Sequence, residues 1–330
     1  MTIGVDNIDR RLLNELQADF PLVAEPFAEL GRRLGLGEDD VISRIRRLKA
    51  AGVIRSIAPI INYRAIGYRS TLVAMRLPAS RLEEASAVVN RHPGVSHNYQ
   101  RDGEFNLWFT LTVPPDTDME DEIQRLIDVI QPDHVLDLPS LRVYKSVAFF
   151  DMAGNGSGIM ASRLSSEAID SPSSKPITDD ERLLIATIQQ DLSITGRPFD
   201  AMARRIRLET EQFLAAYRDL VQRGVVRRLG ASLSHIRAGF VANAMVCWNV
   251  PANAIERAAD IMSGYREVSH CYQRRPAAGW PYNLFTMVHA RSIDELKRVI
   301  DDMRRATGIQ EYKSLMTLRE FKKERLKLEV

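Results

Sequence analysis

The sequence predicts an α+β fold in two tandem repeats, each three short helices followed by a βαββαβ unit. Three observations predict it. The stretch Ser96-His97-Asn98-Tyr99-Gln100-Arg101 returns as Ser269-His270-Cys271-Tyr272-Gln273-Arg274. Each copy is followed by a strand-like run, Phe105-Asn106-Leu107-Trp108-Phe109-Thr110 and Tyr282-Asn283-Leu284-Phe285-Thr286. Other echoes (Leu12-Leu13 with Leu183-Leu184, Pro26-Phe27 with Pro198-Phe199, Gly52-Val53 with Gly224-Val225) keep a separation of about 170 residues, the mark of an internal duplication.

The elements follow in order. Asp6 or Asn7 caps a first helix with Ile8, Leu12, Leu13 and Leu16 on one face, ended by Pro21. A second helix spans 26–34, with Pro26 in its first turn and Gly35 and Gly37 after it. A third, about 38–51, starts on Glu38, Asp39 and Asp40, as the helix dipole prefers, and buries Val41, Ile45 and Leu48. Gly52 closes it and a strand begins at Val53, so the first module reads as a winged helix-turn-helix. Next come a strand over 69–77, a helix over 80–91, and a strand over 95–101. Asp102-Gly103 predicts a tight turn into a strand over 105–113. An amphipathic helix over 119–130 and an extended stretch over 135–150 complete the order of a ferredoxin-like sandwich. Gly-, Ser- and Pro-rich residues 152–176 have linker composition. The series then restarts with a capping box at Thr178 and Glu181. The expected domains are 1–62 and 177–236 (helix-turn-helix) and 63–151 and 237–330 (ferredoxin-like), packed as a pseudo-two-fold dimer. Tyr312-Lys313-Ser314 is expected to echo Tyr144-Lys145-Ser146.

With 330 residues the chain has enough length for two or more cores. Its net charge of +2 provides no strong global field toward nucleic acid or membrane. Cys247 and Cys271, the two cysteines, exclude a disulfide framework or a cysteine-rich metal site. Residues 1–9 carry Asp6 and Asp9 without an apolar core, and no apolar run approaches a membrane span, so a cytoplasmic protein is expected.

Three helices followed by βαββαβ resemble the Lrp/AsnC family of transcription regulators in both halves. The motifs narrow the resemblance. His97-Asn98-Tyr99-Gln100-Arg101 with the run from Phe105 to Thr110 resembles one siroheme decarboxylase subunit. His270-Cys271-Tyr272-Gln273-Arg274-Arg275-Pro276, Trp280-Pro281-Tyr282-Asn283-Leu284 and His289 resemble its partner subunit. The chain is thus similar to a two-subunit siroheme decarboxylase fused into one polypeptide. The resemblance implies removal of the C12 and C18 acetate carboxyl groups of siroheme, giving didecarboxysiroheme for heme d1 or an alternative heme b route. It implies no cofactor beyond the iron carried by the substrate and no dedicated metal site, with His97 or His270 as the candidate ligand of that iron. The partners it implies are siroheme, a second siroheme decarboxylase pair or the downstream heme d1 enzymes, and further copies of this chain.

Residue chemistry fits such a ligand. Alternation places Val95, His97, Tyr99 and Arg101 on one strand face, and His270, Tyr272 and Arg274 on its counterpart. Arginine gives bidentate, permanently charged contacts to carboxylates, so Arg101, Arg274 and Arg275 are candidate substrate ligands. Histidine titrates near neutrality and can donate a proton, so His97 and His270, with Tyr99 and Tyr272, are the candidate catalytic groups. Trp108 and Trp280 can lie against a macrocycle, and Asn106, Asn283 and His289 are placed on the same open faces as substrate contacts. The longer second hairpin, with Arg274-Arg275, Gly279 and Trp280, suggests a lid or carboxylate clamp. His92, His134 and His235 read as structural, and both cysteines as core. The competing reading is a DNA-binding regulator. Arg44, Arg46, Arg47 and Lys49 suit a recognition helix, whereas the second copy mixes Glu209, Glu211 and Asp219 with Arg218 and Arg223, so nucleic-acid binding is not expected.

Overall fold

The computed structural model describes residues 4–146, 149–152, 175–234 and 237–326. Contacts divide the chain into two compact units that each draw on both repeats: Met1–Ile66 with Ala148–Phe240, and Gly67–Val147 with Val241–Lys327. The expected linker lies outside the described residues apart from Met152, Lys175 and Pro176, and so does His235.

The first unit holds the two helix-turn-helix modules: α1 (Asn7–Ala18), α2 (Pro26–Leu34), α3 (Glu38–Ala50), and their counterparts α4 (Asp179–Ile188), α5 (Pro198–Arg205) and α6 (Thr210–Gln222). Capping boxes start α1 (Asp6 with Asp9) and α4 (Thr178 with Glu181), satisfying amide groups that a helix start leaves unpaired. Leu12, Leu13, Leu16, Leu30, Ile45 and Leu48 are completely buried, each contributing about 1.5–3 kcal/mol through removal from water. The strand expected as a wing, β1 (Ile54–Ile61), builds no hairpin within its own module. It pairs antiparallel with its repeat equivalent β2 (Val226–Leu233), because each supplies the unpaired edge that the other lacks.

The same unit shows what becomes of the basic helix α3. Arg44 is bound to Asp6, Asp9 and Asp40, and Arg47 to the buried carboxylate of Asp9 at 2.5 Å. Lys49 pairs with Asp191 at 2.6 Å. Arg46 donates to the Ile194 carbonyl at 2.7 Å, and its repeat counterpart Arg218 donates to the Leu22 carbonyl at 2.9 Å. Arg197 and Glu25 meet at 3.0 Å. The two modules therefore lock each other through their recognition helices.

The second unit contains β3 (Arg69–Arg76), α7 (Leu82–Arg91), β4 (Val95–Arg101), β5 (Leu107–Val113), α8 (Met119–Ile130) and β6 (His134–Ser146). The repeat supplies β7 (Ala242–Trp248), α9 (Ile255–Ser263), β8 (Val268–Arg274), β9 (Leu284–Ala290), α10 (Ile293–Thr307) and β10 (Tyr312–Lys323). Each half has the expected βαββαβ order. The two sheets do not stay open: β6 pairs with β8 and β10 with β4, closing one eight-stranded antiparallel barrel. Closure removes every free edge.

Register corrects one expected echo. Lys145 lies opposite Cys271 and Ser146 opposite His270, while Lys322 lies opposite Asn98 and Lys323 opposite His97. The counterpart of Tyr144-Lys145-Ser146 is thus Phe321-Lys322-Lys323, not Tyr312-Lys313-Ser314. The pairing has a physical purpose: Lys145 donates to the Ser263 and Tyr265 carbonyls at the end of α9, and Lys322 to the Asn90 carbonyl at the end of α7. Each cation sits at the negative end of a helix dipole. Burial lowers the Lys145 ammonium to about 8.

Candidate functional site

The site candidates begin with a backbone irregularity. Register slips between Val95 and His97, and again between Val268 and His270, so Ser96 and Ser269 are bulged residues. A bulge breaks strict alternation and re-aims side chains. Val95, expected beside His97, accordingly packs in the helix-side core with Leu107, Phe109 and Leu111. Each bulged serine sets its hydroxyl 2.8 Å from Nδ1 of the next histidine.

Beyond the bulge the expected rows form. His97 and Tyr99 have ring centroids 6.2 Å apart, and the Arg101 guanidinium lies 5.3 Å from the Tyr99 ring centre. His270 stacks with Tyr272 at 5.8 Å, and Arg274 lies 5.1 Å from the Tyr272 ring centre. The histidines and tyrosines are half-buried. β4 and β8 stand four strands apart around the barrel, so the two rows lie on opposite sides of it. Their surroundings differ. Tyr272 shares a 2.9 Å hydrogen bond with Ser146, whereas Tyr99 lies in register with Glu320, which pairs with Lys323 at 4.0 Å.

The arginines point inward. Arg101 is 5% exposed and donates to the Leu315 carbonyl at 3.2 Å and to Thr317 Oγ1 at 2.9 Å. Its Nε has no hydrogen-bond partner, and burial pushes its pKa down from the ordinary arginine range. Its Nη2 reaches Sδ of Met287 at 3.9 Å, and Met287 is the register partner of His270. Arg101 thus extends from the first row toward the second. Arg274 mirrors it by donating to the Leu138 carbonyl at 2.6 Å.

Other expectations fare differently. Trp108 and Trp280 are almost fully buried and interlock at 5.7 Å with Phe105, Phe285 and Cys247 inside the barrel. The two tryptophans, expected to lie against a macrocycle, pack against each other in the barrel interior. A cavity of about 190 Å³ beside Trp280 and Lys313 is smaller than the roughly 300–1,000 Å³ of drug-sized ligand pockets. Asn106 does not face the row: its amide bonds both the N–H and the carbonyl of Leu77, and Asn283 does the same to Val250. Asp102-Gly103 forms no two-residue turn, because Asp102 Oδ1 is bound by the Met316 amide and the connection runs through to Asn106. In the longer second hairpin Arg275 is exposed while Arg274 turns inward, so the two arginines form no common clamp. His289 is buried behind Ser269, with its Nε2 3.0 Å from that hydroxyl. His92 is structural: Nε2 meets Glu122 at 3.0 Å and Nδ1 accepts from the Gly94 amide. Burial holds the Cys271 thiol up at about 12, consistent with a core residue.

Residues 65–145 and 237–322 match the family described as AsnC-like ligand binding domain. Residues 9–55 and 181–227 match the siroheme decarboxylase NirDL-like HTH domain. The siroheme decarboxylase of Hydrogenobacter thermophilus is 38% identical over 320 residues, covering 96% of this chain and 93% of that one. The chain belongs to the siroheme decarboxylase family. A crystal structure of the siroheme decarboxylase NirDL with an iron-uroporphyrin III analogue superposes with a TM-score of 0.72 at 35% identity, over 98% of this chain and 94% of that one. A siroheme decarboxylase alpha subunit from Desulfovibrio desulfuricans, 39% identical, matches 45% of this chain over 85% of its own length. Siroheme decarboxylases thus occur with half-length subunits, and the duplicated chain joins two such halves as a pseudo-dimer.

The serines are what sequence reasoning missed. Both stand at the head of the repeated motif, yet a bulge leaves no composition signal. Lys145 was matched to Lys313 and Lys322 passed over, because the equivalence of Lys145 and Lys322 follows strand register, which a slipped alignment conceals.

Proposed function

We propose that this chain decarboxylates siroheme, acting on the C12 and C18 acetate side chains and delivering didecarboxysiroheme to heme d1 or alternative heme b synthesis. The observation that carries this reading is the full-length relationship to a siroheme decarboxylase, and the two His–Tyr–Arg rows supply chemistry for it. In each turnover the bond between the acetate methylene and its carboxylate breaks. Carbon dioxide leaves, the electron pair passes into the macrocycle, and a proton delivered to the methylene carbon yields a methyl group. Arg101 and Arg274 orient carboxylates, and the burial of Arg101 strengthens its contact. His97 or His270 delivers the proton, an effect typically worth about 100- to 10,000-fold in rate. The electron sink is the ring itself and the iron arrives with the substrate, so the scheme calls on no separate organic cofactor.

A regulator reading is disfavoured by a specific observation: Arg44, Arg46, Arg47 and Lys49 of α3, Arg218 of α6 and Arg223 at its C-terminal cap are engaged within the protein rather than free for phosphates. The test is anaerobic incubation with siroheme, followed by mass analysis. Loss of one or two carbon dioxides is expected; recovery of unchanged siroheme under conditions where the protein binds it would overturn the proposal.

A further inference from the structure

The two rows differ at one buried position. Register equates Thr110 with Met287, since they face His97 and His270, and so equates Thr112 with His289 two residues on. In the first half the Thr112 hydroxyl donates to Ser70 Oγ at 3.1 Å. In the second, Ser269 Oγ has three neighbours: His270 Nδ1 at 2.8 Å, His289 Nε2 at 3.0 Å and the Met287 carbonyl at 3.3 Å.

A hydroxyl carries one proton and two acceptor lone pairs. A carbonyl can only accept. All three contacts are hydrogen bonds in one arrangement alone: Ser269 donates to the Met287 carbonyl and accepts N–H bonds from both imidazoles. The neutral His270 then carries its proton on Nδ1 and presents the Nε2 lone pair. Adding a proton at Nε2 leaves every bond of this network in place, and so does giving that proton away. An imidazole whose contact to the orienting serine survives the change of charge is a prepared proton donor. In the first half no histidine stands at the His289 position to hold the Ser96 hydroxyl in this way.

We infer that His289 is a positioning residue which, through Ser269, sets the Nδ1–H tautomer of His270, and that the second half therefore carries the proton transfer to substrate. The inference rests on the proposed decarboxylase reading for its reaction but not for its hydrogen-bond network.

Full-length protein carrying H289T, which installs the first half's residue, is compared with H289Q, which restores an N–H donor, and with S269A and S96A. Long-range proton–nitrogen NMR of the imidazoles should show His270 as a single Nδ1–H tautomer in the parent chain and a tautomer mixture in H289T. Turnover of siroheme should fall about 10- to 100-fold in H289T and S269A, the range found when the partner orienting a functional histidine is removed. Affinity for iron uroporphyrin III, read from the visible band, should stay within about twofold, and H289Q should recover most of the lost turnover. S96A should cost less than S269A. Parent-like turnover and tautomer in H289T overturn the inference, as does an S96A loss equal to that of S269A. If H289T does not fold, S269A and H289Q decide the matter. If the parent chain leaves siroheme unchanged, the decarboxylase reading fails while the tautomer spectra still judge the network.

Discussion

At the scale of single residues, Arg101 shows how burial separates function from stability. Its guanidinium lies inside the barrel bonded to a carbonyl and a hydroxyl, with its Nε unsatisfied and, among the described residues, no carboxylate in ion-pair contact. A buried charge held this way contributes little to folding, and replacing such groups with apolar residues of similar volume is often neutral or stabilising. R101M is therefore expected to keep or raise the thermal midpoint. If the guanidinium serves a substrate carboxylate, the same variant should bind iron uroporphyrin III about 10- to 100-fold more weakly, the equivalent of roughly 1.5–3 kcal/mol for a charged hydrogen bond. Calorimetry and visible titration check the two halves of this prediction, and a lower midpoint with unaltered affinity would make Arg101 structural.

At the scale of elements, Asn106 and Asn283 illustrate how a motif residue can hold the end of a neighbouring strand. Each amide clasps the N–H and carbonyl of a residue beyond the end of the neighbouring strand: Leu77 directly after β3, Val250 two residues after β7. Alanine at either site strands two backbone groups, a cost of about 1–3 kcal/mol. N106A and N283A should each lower the unfolding free energy from denaturant titration by that amount while leaving tetrapyrrole affinity close to that of the parent. A large affinity loss at parental stability would return them to the substrate site. The bulges at Ser96 and Ser269 belong to this scale as well. One extra residue per strand moves Val95 and Val268 into the helix-side cores and frees a hydroxyl to hold the catalytic candidates.

At the scale of the molecule, the duplication yields joint structures rather than two separate ones. The barrel takes four strands from each repeat, and β1 pairs with β2 across the repeats. A half expressed alone would expose the edges of β4 and β6, or of β8 and β10, and edges of that kind pair with whatever is available. Residues 1–151 and 177–330, co-expressed as separate chains, should purify as a one-to-one complex. Either alone should self-associate or aggregate, as size-exclusion chromatography with light scattering would show. A stable, soluble monomer from either half would contradict the joint barrel. Among the described residues no helix is long and apolar enough to cross a membrane.

The sequence by itself determined the repeat, the helix boundaries, the βαββαβ order and the His–Tyr–Arg rows. These rest on local signals: caps, periodicity, and motif spacing that survives duplication. It also pointed to the family, through about ten motif positions in each half. Tertiary structure alone decided what long-range pairing decides. It closed the two sheets into one barrel, buried Trp108 and Trp280 in that barrel's core, turned Asn106 and Asn283 into clasps, and put His289 behind Ser269. The alternation rule places a side chain above or below its strand. Which neighbour waits there depends on register, bulges and closure, and those are set by partner strands that local sequence signals do not specify.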